Sequence, residues 1–330
     1  MKKRGIVKET LKHKNTGTVP YAINFTKEAL DVYGERLLAE YASEKVKSDY
    51  KNGILNLTEA VSLGIGNYML YVYAPWWDWY KVPGNFFTEF DTPEHLPDTI
   101  GTGNYEAFFS KIKYIRENYD VYLLSAIWGG HWEKAYFCRG IENFLCDLAG
   151  SIEWTEQLLG FIIRKNLVML ENFLVEDEID GVLLGSDWGT QSDLIMSPDC
   201  WRSLIKNGEK QEYDLVKKYK KDVFVHSCGN IEKILGDLIE IGLEALNPIQ
   251  PECMDIYKLK ENYGEKLTFF GGISTQQILP YGTAEDVANE TKKVIREMSR
   301  NGGYIAAPSQ EIQVDVPYEN LKALIDTVRL

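Results

Sequence analysis

Short runs rich in β-branched and aromatic residues alternate with longer amphipathic stretches along this 330-residue chain. Eight runs can be identified, at residues 21–25, 68–73, 121–127, 181–186, 222–226, 244–248, 266–271 and 304–307. Between them, apolar residues recur at helical spacing, most clearly in residues 28–41, 154–174, 201–219 and 284–301. Strands that alternate with helices form parallel sheets with right-handed crossovers. Eight such repeats predict an α/β fold of the (β/α)8 TIM-barrel type.

The predicted barrel extends over residues 1–330 as a single domain. An open, doubly wound sheet is the rival fold, but no GxGxxG sequence follows an early strand. The residues before the first run are predicted to form an N-terminal helical extension. Residues 74–104 are aromatic and rich in proline and glycine, and they are predicted to form an insertion after the second strand, over one face of the barrel.

The formal net charge of −13 bears on the class of partner. An acidic chain binds nucleic acid poorly, and no basic cluster offsets this charge. No run of 18 apolar residues predicts a membrane span, and the basic N-terminus lacks the apolar core of a secretory signal. The five scattered cysteines do not form a disulfide framework, so we expect a reducing cytoplasm. Barrels of this size often associate, which leaves monomer and homodimer both open.

Polar residues and glycines follow the runs at their C-terminal ends, where barrel enzymes place their chemistry. Tryptophans are also concentrated in the predicted loops at this face, and aromatic rings suit an aromatic or corrin-like ligand, although packing explains any one of them equally well. The candidate substrate-binding residues at this face are Asn24, Trp128, Trp188, Gln191, Gln250 and Ser309.

His226 and Cys228 lie two residues apart at the end of the fifth run. In a strand, residues i and i+2 point to the same side, so both side chains can face one cavity. Imidazole and thiolate together suit zinc. The alternative is a buried thiol beside a core histidine, because two ligands do not make a metal site.

Asp187 follows the fourth run, between a serine and a tryptophan. It can act as a charged anchor at the floor of a pocket, with a catalytic role. It can equally cap the turn formed by Gly189 and Thr190, which is a common task for aspartate.

Four stretches of this chain together resemble the uroporphyrinogen decarboxylase superfamily. They read GSDWGTQSDLIMSPDCWR, VFVHSCGNIEKILGDLIEIGLEALNPIQ, LTFFGGISTQQILPYGTAEDV and GGYIAAPSQEIQVDVPYEN. The resemblance covers roughly the whole chain and implies a (β/α)8 barrel. The superfamily has two main branches: metal-free decarboxylases of uroporphyrinogen, and cobalamin-dependent methyltransferases that use zinc.

The chain resembles the methyltransferase branch more than the true decarboxylases. The decarboxylases hold their substrate carboxylates with an arginine-bearing motif near the N-terminus, whereas the corresponding VPYAINFT here contains no arginine. The sequence His226-Ser227-Cys228 is similar to the His-x-Cys zinc motif of the methyltransferases. Thiol-specific methyltransferases complete that site with a cysteine after the last strand, where this chain has Gln310 and Glu311.

After this departure the third zinc ligand is Glu311, Gln310 or another residue, or the metal is absent, and Glu311 is the expected one. A zinc site that lacks the second thiolate is a harder Lewis acid, which suits an ether oxygen or an amine nitrogen. The resemblance therefore implies a methyltransferase, or demethylase, that moves the methyl group of an O- or N-methyl compound, such as a methoxylated aromatic, to the Co(I) corrinoid (cobalamin) of a partner protein. The direction of transfer stays open, since the same site could methylate or demethylate a corrinoid.

Two other functions are compatible with the same residues. One is a metal-free decarboxylase of an aromatic or tetrapyrrole acid, in which Asp187 stabilises a cationic intermediate and His226 serves as the acid. The other is a non-catalytic binding protein. The dense ring of polar residues at the predicted strand ends favours an enzyme over the binding protein.

Overall fold

The computed structural model describes residues 1–76 and 105–330. Most of the predicted aromatic insertion therefore lies outside the described residues. The chain forms two compact units. The first unit comprises Met1–Tyr71, Tyr119–Tyr122 and Ala245–Leu330, and the second unit comprises Val72–Asn118 and Leu123–Glu244. The assignment of residues 1–330 to a single domain remains a prediction.

Seven strands occur in the described residues, and they follow seven of the eight predicted runs in order. They are β1 Met69–Val72, β2 Tyr122–Ile127, β3 Gly181–Gly185, β4 Asp222–His226, β5 Ala245–Ile249, β6 Thr268–Ile273 and β7 Tyr304–Pro308. All the strand pairs defined within the two units are parallel. The alternation of the sequence thus correctly predicts a parallel α/β fold.

The first predicted run, residues 21–25, does not form a strand. It makes isolated parallel bridges only at its ends, from Tyr21 to Ala306 and from Phe25 to Ile312. At its centre, the side chain of Asn67 replaces a neighbouring strand. Asn67 Oδ1 accepts from the backbone N–H of Ile23, and Asn67 Nδ2 donates to the carbonyl of Ile23, both at 3.0 Å. The prediction of an eighth regular strand is therefore not confirmed.

Helices connect the strands. They are α1 Lys3–Leu11, α2 Lys27–Tyr41, α3 Glu44–Lys51, α4 Leu57–Gly64, α5 Tyr105–Asn118, α6 His131–Arg139, α7 Ile141–Gly150, α8 Ile152–Leu174, α9 Pro198–Cys200, α10 Lys206–Lys218, α11 Leu235–Ile241, α12 Ile256–Tyr263, α13 Ile278–Tyr281, α14 Ala284–Met298 and α15 Tyr318–Val328. A π-helical turn, Trp201–Ile205, leads into α10, and a 3₁₀ turn, Glu232–Ile234, leads into α11. None of the helices in residues 1–76 and 105–330 is long and apolar enough to cross a membrane.

Gly140 separates α6 from α7, where the sequence pattern resembles one continuous helix. Its φ of +81° is a left-handed value that favours glycine, and the chain changes direction there. Across this break, Arg139 Nε donates to Asp147 Oδ2 at 2.6 Å. Arg139 therefore forms a buried structural ion pair that secures the corner between the two helices.

The register of β2, β3 and β4 in the second unit determines which residues meet at the strand ends. Ile127 lies opposite Leu184, and Gly185 lies opposite His226. Every residue of β2 and β3 is buried. Strands of a parallel sheet that is covered on both faces read as such continuous apolar runs. The C-terminal ends of the three strands consequently lie together.

In the first unit, β5, β6 and β7 pair in the same parallel manner. Phe269 lies opposite Tyr304, and Gly272 lies opposite Ala307. The phenol of buried Tyr304 donates to the carbonyl of Gly271 at 2.8 Å, which ties β7 to β6 through a side chain. Helix α14 follows β6 and begins with a capping box formed by Thr283 and Asp286.

Candidate functional site

The loops after β3 and β4 are bonded to one another and hold the candidate site. The backbone N–H of Ser186 donates to the carbonyl of His226 at 2.8 Å. The N–H of Trp188 then donates to Ser227 Oγ at 3.1 Å. The N–H of Cys228 donates in the opposite direction, to Asp187 Oδ1 at 2.8 Å. These bonds fix the side chains at both strand ends relative to each other.

Two glycines allow the loops to approach this closely. A Cβ atom on Gly189 would lie 2.5 Å from the carbonyl oxygen of Cys228, and one on Gly229 would lie 2.5 Å from the backbone of Gly189. Gly229 also has a φ of +78°, which a residue with a side chain adopts with strain. Glycine is therefore required at both positions to bring Cys228 beside Asp187.

Asp187, His226 and Cys228 form a cluster of three donor atoms. His226 Nε2 lies 3.3 Å from Cys228 Sγ and 3.9 Å from Asp187 Oδ1. All the donor atoms of the cluster lie within 4.8 Å of one another. Two atoms that each lie about 2.0–2.3 Å from one zinc ion are separated from each other by distances like those between the donor atoms of this cluster. The set of imidazole nitrogen, thiolate sulfur and carboxylate oxygen fits zinc in both spacing and chemistry.

A cavity of about 270 Å³ opens beside this cluster. Its lining residues are Trp128, Gly129, Glu133, Phe137, Gly185, Asp187 and His226. The rings of Trp128 and Phe137 supply most of its apolar wall, and each is 39% exposed. Trp128 meets the ring of His226 edge-on, with centroids 4.9 Å apart and an interplanar angle of 88°. This contact holds the imidazole plane in one orientation.

Glu133 is the functional candidate that the sequence analysis missed. It lies in the first turn of α6 and lines the same cavity as Asp187 and His226. Burial, followed by the negative charge of Asp187, raises the pKa of Glu133 to about 7. The phenol of Tyr136 donates to Glu133 Oε1 at 3.3 Å. A carboxyl group with this pKa can both donate and accept a proton near neutral pH.

A sequence signal for Glu133 did exist. The first turn of a helix that follows a barrel strand lies at the face where that strand ends, so an acidic residue there is a candidate. Its burial, however, depends on the packing of Trp132, whose Nε1 donates to the carbonyl of Asp187 at 3.0 Å. No local sequence pattern predicts this contact between Trp132 and Asp187.

Two other predicted residues of the second unit occupy contrasting environments. Trp188 is fully buried, its ring packs edge-on against Trp201, and its contact with substrate remains a prediction. The apolar ring is drawn into the interior, while the short aspartate before it faces the cavity. Gln191 lies on the exposed loop beyond Trp188, and its contact with substrate remains a prediction.

The remaining predicted residues belong to the first unit. Ser309 is fully buried, and its Oγ lies 3.1 Å from that of Thr275. Gln250 is buried, and Asn24 is half-buried. Glu311 is exposed, and it lines a cavity of about 330 Å³ together with Gln310. The roles of all five residues in substrate or metal binding remain predictions.

A parallel α/β fold with three potential metal ligands at its strand ends defines the class as an α/β protein with a candidate metal site, and comparison with known families is more specific. The family described as "Uroporphyrinogen decarboxylase (URO-D)" matches residues 82–330. The chain therefore belongs to the uroporphyrinogen decarboxylase family, which confirms the resemblance inferred from the sequence.

Its curated relatives include methyltransferases. The chain is 26% identical over 234 residues to "Methylcobamide:CoM methyltransferase MtaA" of Methanosarcina barkeri, a match that covers 69% of this chain and 64% of the relative. It is 22% identical over 144 residues to "Methylated-thiol--coenzyme M methyltransferase" of Methanosarcina mazei, covering 44% of this chain and 36% of the relative. The chain thus spans less than two thirds of the length of these relatives.

Among solved structures, a "methyltransferase from Methanosarcina mazei" superposes with a TM-score of 0.72 at 19% identity. The superposition covers 100% of this chain and 98% of that one. The two proteins therefore share a fold. The curated relatives, both named as methyltransferases, confirm that the resemblance lies toward the methyltransferase branch.

Proposed function

We propose that this protein transfers the methyl group of a small methylated molecule to the Co(I) corrinoid of a partner protein. One observation carries the proposal: Asp187, His226 and Cys228 bring three zinc-type donors together at the wall of a small, partly apolar cavity. Both relatives are named as methyltransferases, which supports methyl transfer, and the methylcobamide in the name of one supports the involvement of a corrinoid.

We infer that the donor atoms of Asp187, His226 and Cys228 hold a zinc ion. Catalytic zinc sites commonly use three protein ligands and leave a fourth position open to substrate. A zinc ion bound there would act as a Lewis acid toward the heteroatom that carries the methyl group. This assignment makes Asp187 a ligand, in place of the role of acid or anchor expected from the sequence. Glu311 and Gln310 remain candidate ligands.

The residues that line the cavity would then have separate roles in catalysis. The rings of Trp128 and Phe137 supply an apolar surface that excludes water from the reacting methyl group. Trp128 also holds the imidazole of His226 in a fixed plane. Glu133 would donate a proton to the oxygen or nitrogen that leaves when the methyl group departs, which its pKa of about 7 permits at neutral pH.

The donor set favours an O- or N-methyl substrate. One thiolate, one imidazole and one carboxylate form a harder site than two thiolates and an imidazole, and harder sites prefer oxygen and nitrogen. The cavity of about 270 Å³ and its aromatic wall suit a small ring, such as a methoxylated aromatic. One relative is named for a methylated thiol, so a methylated thiol is the competing substrate class.

The test is an assay of methyl transfer to free cob(I)alamin, in which the loss of Co(I) absorption measures the reaction. Zinc-loaded wild type would be supplied in turn with methoxylated aromatics, methylamines and methylated thiols. We expect turnover with an oxygen or nitrogen donor, and its loss in Cys228→Ser. Cys146→Ser is the matched control, because Cys146 is an exposed thiol and should leave turnover unchanged. Turnover with methylated thiols alone would contradict the proposed substrate class.

Decarboxylation is the second candidate function, because the matching family is described by that activity. Asp187 would then stabilise a cationic intermediate, and Glu133, which lines the same cavity, would serve as the acid in place of His226. Release of carbon dioxide from an aromatic acid by metal-free protein, unaffected by Cys228→Ser, would favour this function over methyl transfer.

A further inference from the structure

A second group of potential ligands lies in the interior of the second unit. His131 is the first residue of α6, and Glu209 and Glu212 are three residues apart on α10, hence on one face of that helix. His131 and Glu209 are 0% exposed and Glu212 is 1% exposed. Their donor atoms all lie within 4.8 Å of one another. None of the three residues lines the cavity beside Asp187.

The polar atoms of this cluster converge without satisfying one another. His131 Nδ1 lies 3.1 Å from Glu209 Oε1 and 3.9 Å from Glu212 Oε2, but it is not aligned for a hydrogen bond to either. Among the described residues, Oε2 of Glu209 and Oε2 of Glu212 also have no hydrogen-bond partner. With His131 Nε2, four buried polar atoms of this cluster lack a hydrogen-bond partner in the described part of the chain. Buried polar atoms are nearly always hydrogen-bonded, so four exceptions in one cluster call for a ligand.

The other carboxylate oxygens of the cluster are held from outside. Asn166 Nδ2 donates to Glu212 Oε1 at 2.7 Å, and Ser186 Oγ donates to Glu209 Oε1 at 3.4 Å. The bond from Asn166 leaves Oε2 of Glu212 facing His131 Nδ1, at 3.9 Å. In Glu209 the oxygen that Ser186 contacts, Oε1, is also the one that faces His131 Nδ1, at 3.1 Å. Metal-ligating carboxylates are commonly oriented by outer hydrogen bonds of this kind.

Charge points to the same ligand. Lys134 is fully buried, and its positive charge acts on both Glu212 and Glu133. The positive charge of one lysine thus lies in a region that contains at least three carboxyl groups, including that of Glu209. Buried carboxylates are costly unless they are paired or bound to a cation. Glu209 and Glu212 favour the protonated form of His131, which offsets part of this charge. A divalent cation bound in place of that proton would balance the remainder.

The backbone near the cluster is also adapted to the imidazole. A Cβ atom on Gly208 would lie 2.7 Å from His131 Nε2, so a larger residue would displace the ring. Gly208 follows the π-helical turn Trp201–Ile205, and such widened turns are frequent at functional sites. The local widening precedes the position at which α10 presents its two glutamates to α6.

We propose that His131, Glu209 and Glu212 bind a divalent transition-metal ion, separate from the metal inferred at Asp187. Imidazole with two carboxylates suits zinc, manganese or iron(II). Complete burial marks the site as structural, because a catalytic metal needs a position open to substrate. The ion would join α6 to α10 and, through Ser186 and Glu133, support the wall of the cavity.

The test is the metal content of protein purified in the presence of zinc or manganese, by elemental analysis. We expect about two ions per chain in wild type and about one in both Cys228→Ser and Glu212→Gln. The double variant should hold none. Asp214→Asn is the matched control, because Asp214 is an exposed acid on α10. Glu212→Gln protein with the metal content of wild type would overturn the proposal.

A second experiment tests the buried cluster without altering its residues, in case Glu212→Gln fails to fold. Cys228→Ser protein, which keeps the buried cluster intact, would be unfolded with a chelator and refolded with or without zinc or manganese. We expect one retained ion after desalting and a Tm several degrees higher with metal. Absence of retained metal together with identical Tm values would show that the cluster is balanced by protons and by Lys134 alone. The proposal would then be wrong, whatever the outcome for methyl transfer.

Discussion

The backbone N–H of Cys228 donates to Oδ1 of Asp187 at 2.8 Å. The carboxylate after β3 is therefore held beside the thiol after β4, although the residues are far apart in sequence. The same oxygen lies 3.9 Å from His226 Nε2. One hydrogen bond thus assembles a donor set that neither loop contains alone.

The first prediction concerns this carboxylate. Asp187→Ala removes both the charge and the acceptor, so we expect zinc affinity to fall by about 100-fold or more. Asp187→Asn keeps an oxygen that can accept from Cys228 but removes the charge, and it should give an intermediate loss. Competition with a chromophoric chelator measures both. Wild-type affinity in Asp187→Ala would show that Asp187 is not a ligand and would favour Glu311.

The second prediction concerns Trp128. Its edge-on contact orients His226, so Trp128→Ala should lower kcat/KM for methyl transfer by about tenfold, which corresponds to about 1.4 kcal/mol. Trp128→Phe keeps an aromatic edge and should recover most of the activity. Because the ring is 39% exposed, the Tm should change little. Equal losses in the Ala and Phe variants would contradict an orienting role.

The third prediction concerns the pH dependence of stability. The pKa of Glu133 rises from 4.5 to about 7 on folding, so the folded state binds more protons than the unfolded state between these values. The contribution of Glu133 to the free energy of unfolding is therefore complete below pH 4.5 and falls as pH rises through about 7. The loss amounts to at most about 3 kcal/mol.

Glu133→Gln removes this titration and tests the sign directly. Denaturant unfolding of wild type and variant at about pH 5 and about pH 8 gives the comparison. Relative to wild type, the variant should be more stable at the higher pH than at the lower one. A difference between the two proteins that is the same at both pH values would show that Glu133 is an ordinary, solvated carboxyl group.

The fourth prediction concerns the close approach of the two loops. A Cβ atom on Gly189 would lie 2.5 Å from the carbonyl oxygen of Cys228, so Gly189→Ala should displace the thiol, abolish zinc binding at this site and destabilise the fold by about 1–3 kcal/mol. Gly236 in α11 has open space around its Cα and serves as the control. Gly236→Ala should be neutral or slightly stabilising. Calorimetry and metal analysis would show the contrast, and a neutral Gly189→Ala would contradict the described geometry.

Periodicity predicted the strands well, because seven of them are short, buried and parallel, and such strands produce continuous apolar runs. It failed at residues 21–25, where the side chain of Asn67 supplies the hydrogen bonds that a strand would need. A side-chain partner 44 residues away leaves no periodic signal. The helix break at Gly140 leaves no periodic signal for a related reason, since the flanking residues remain good helix formers.

For the site, the sequence identified His226, Cys228 and Asp187 from their positions after strands, and the structure brings these three together. It did not indicate Glu133, because only tertiary packing makes that carboxyl group unusual. It offered Trp188 as a substrate contact, a prediction that stays open for a ring that is fully buried. Strand ends can be located from a sequence, but side-chain direction in the loop that follows depends on contacts with other segments.

The optical spectrum of cobalt(II)-substituted protein would test the central claim most directly. Thiolate bound to cobalt(II) gives an intense charge-transfer band, and the buried cluster of His131, Glu209 and Glu212 contains no thiol that could imitate it. We predict this band in wild type and in Cys146→Ser, and its absence in Cys228→Ser. A wild-type spectrum without the band, or a band that persists in Cys228→Ser, would contradict a metal site formed by Asp187, His226 and Cys228.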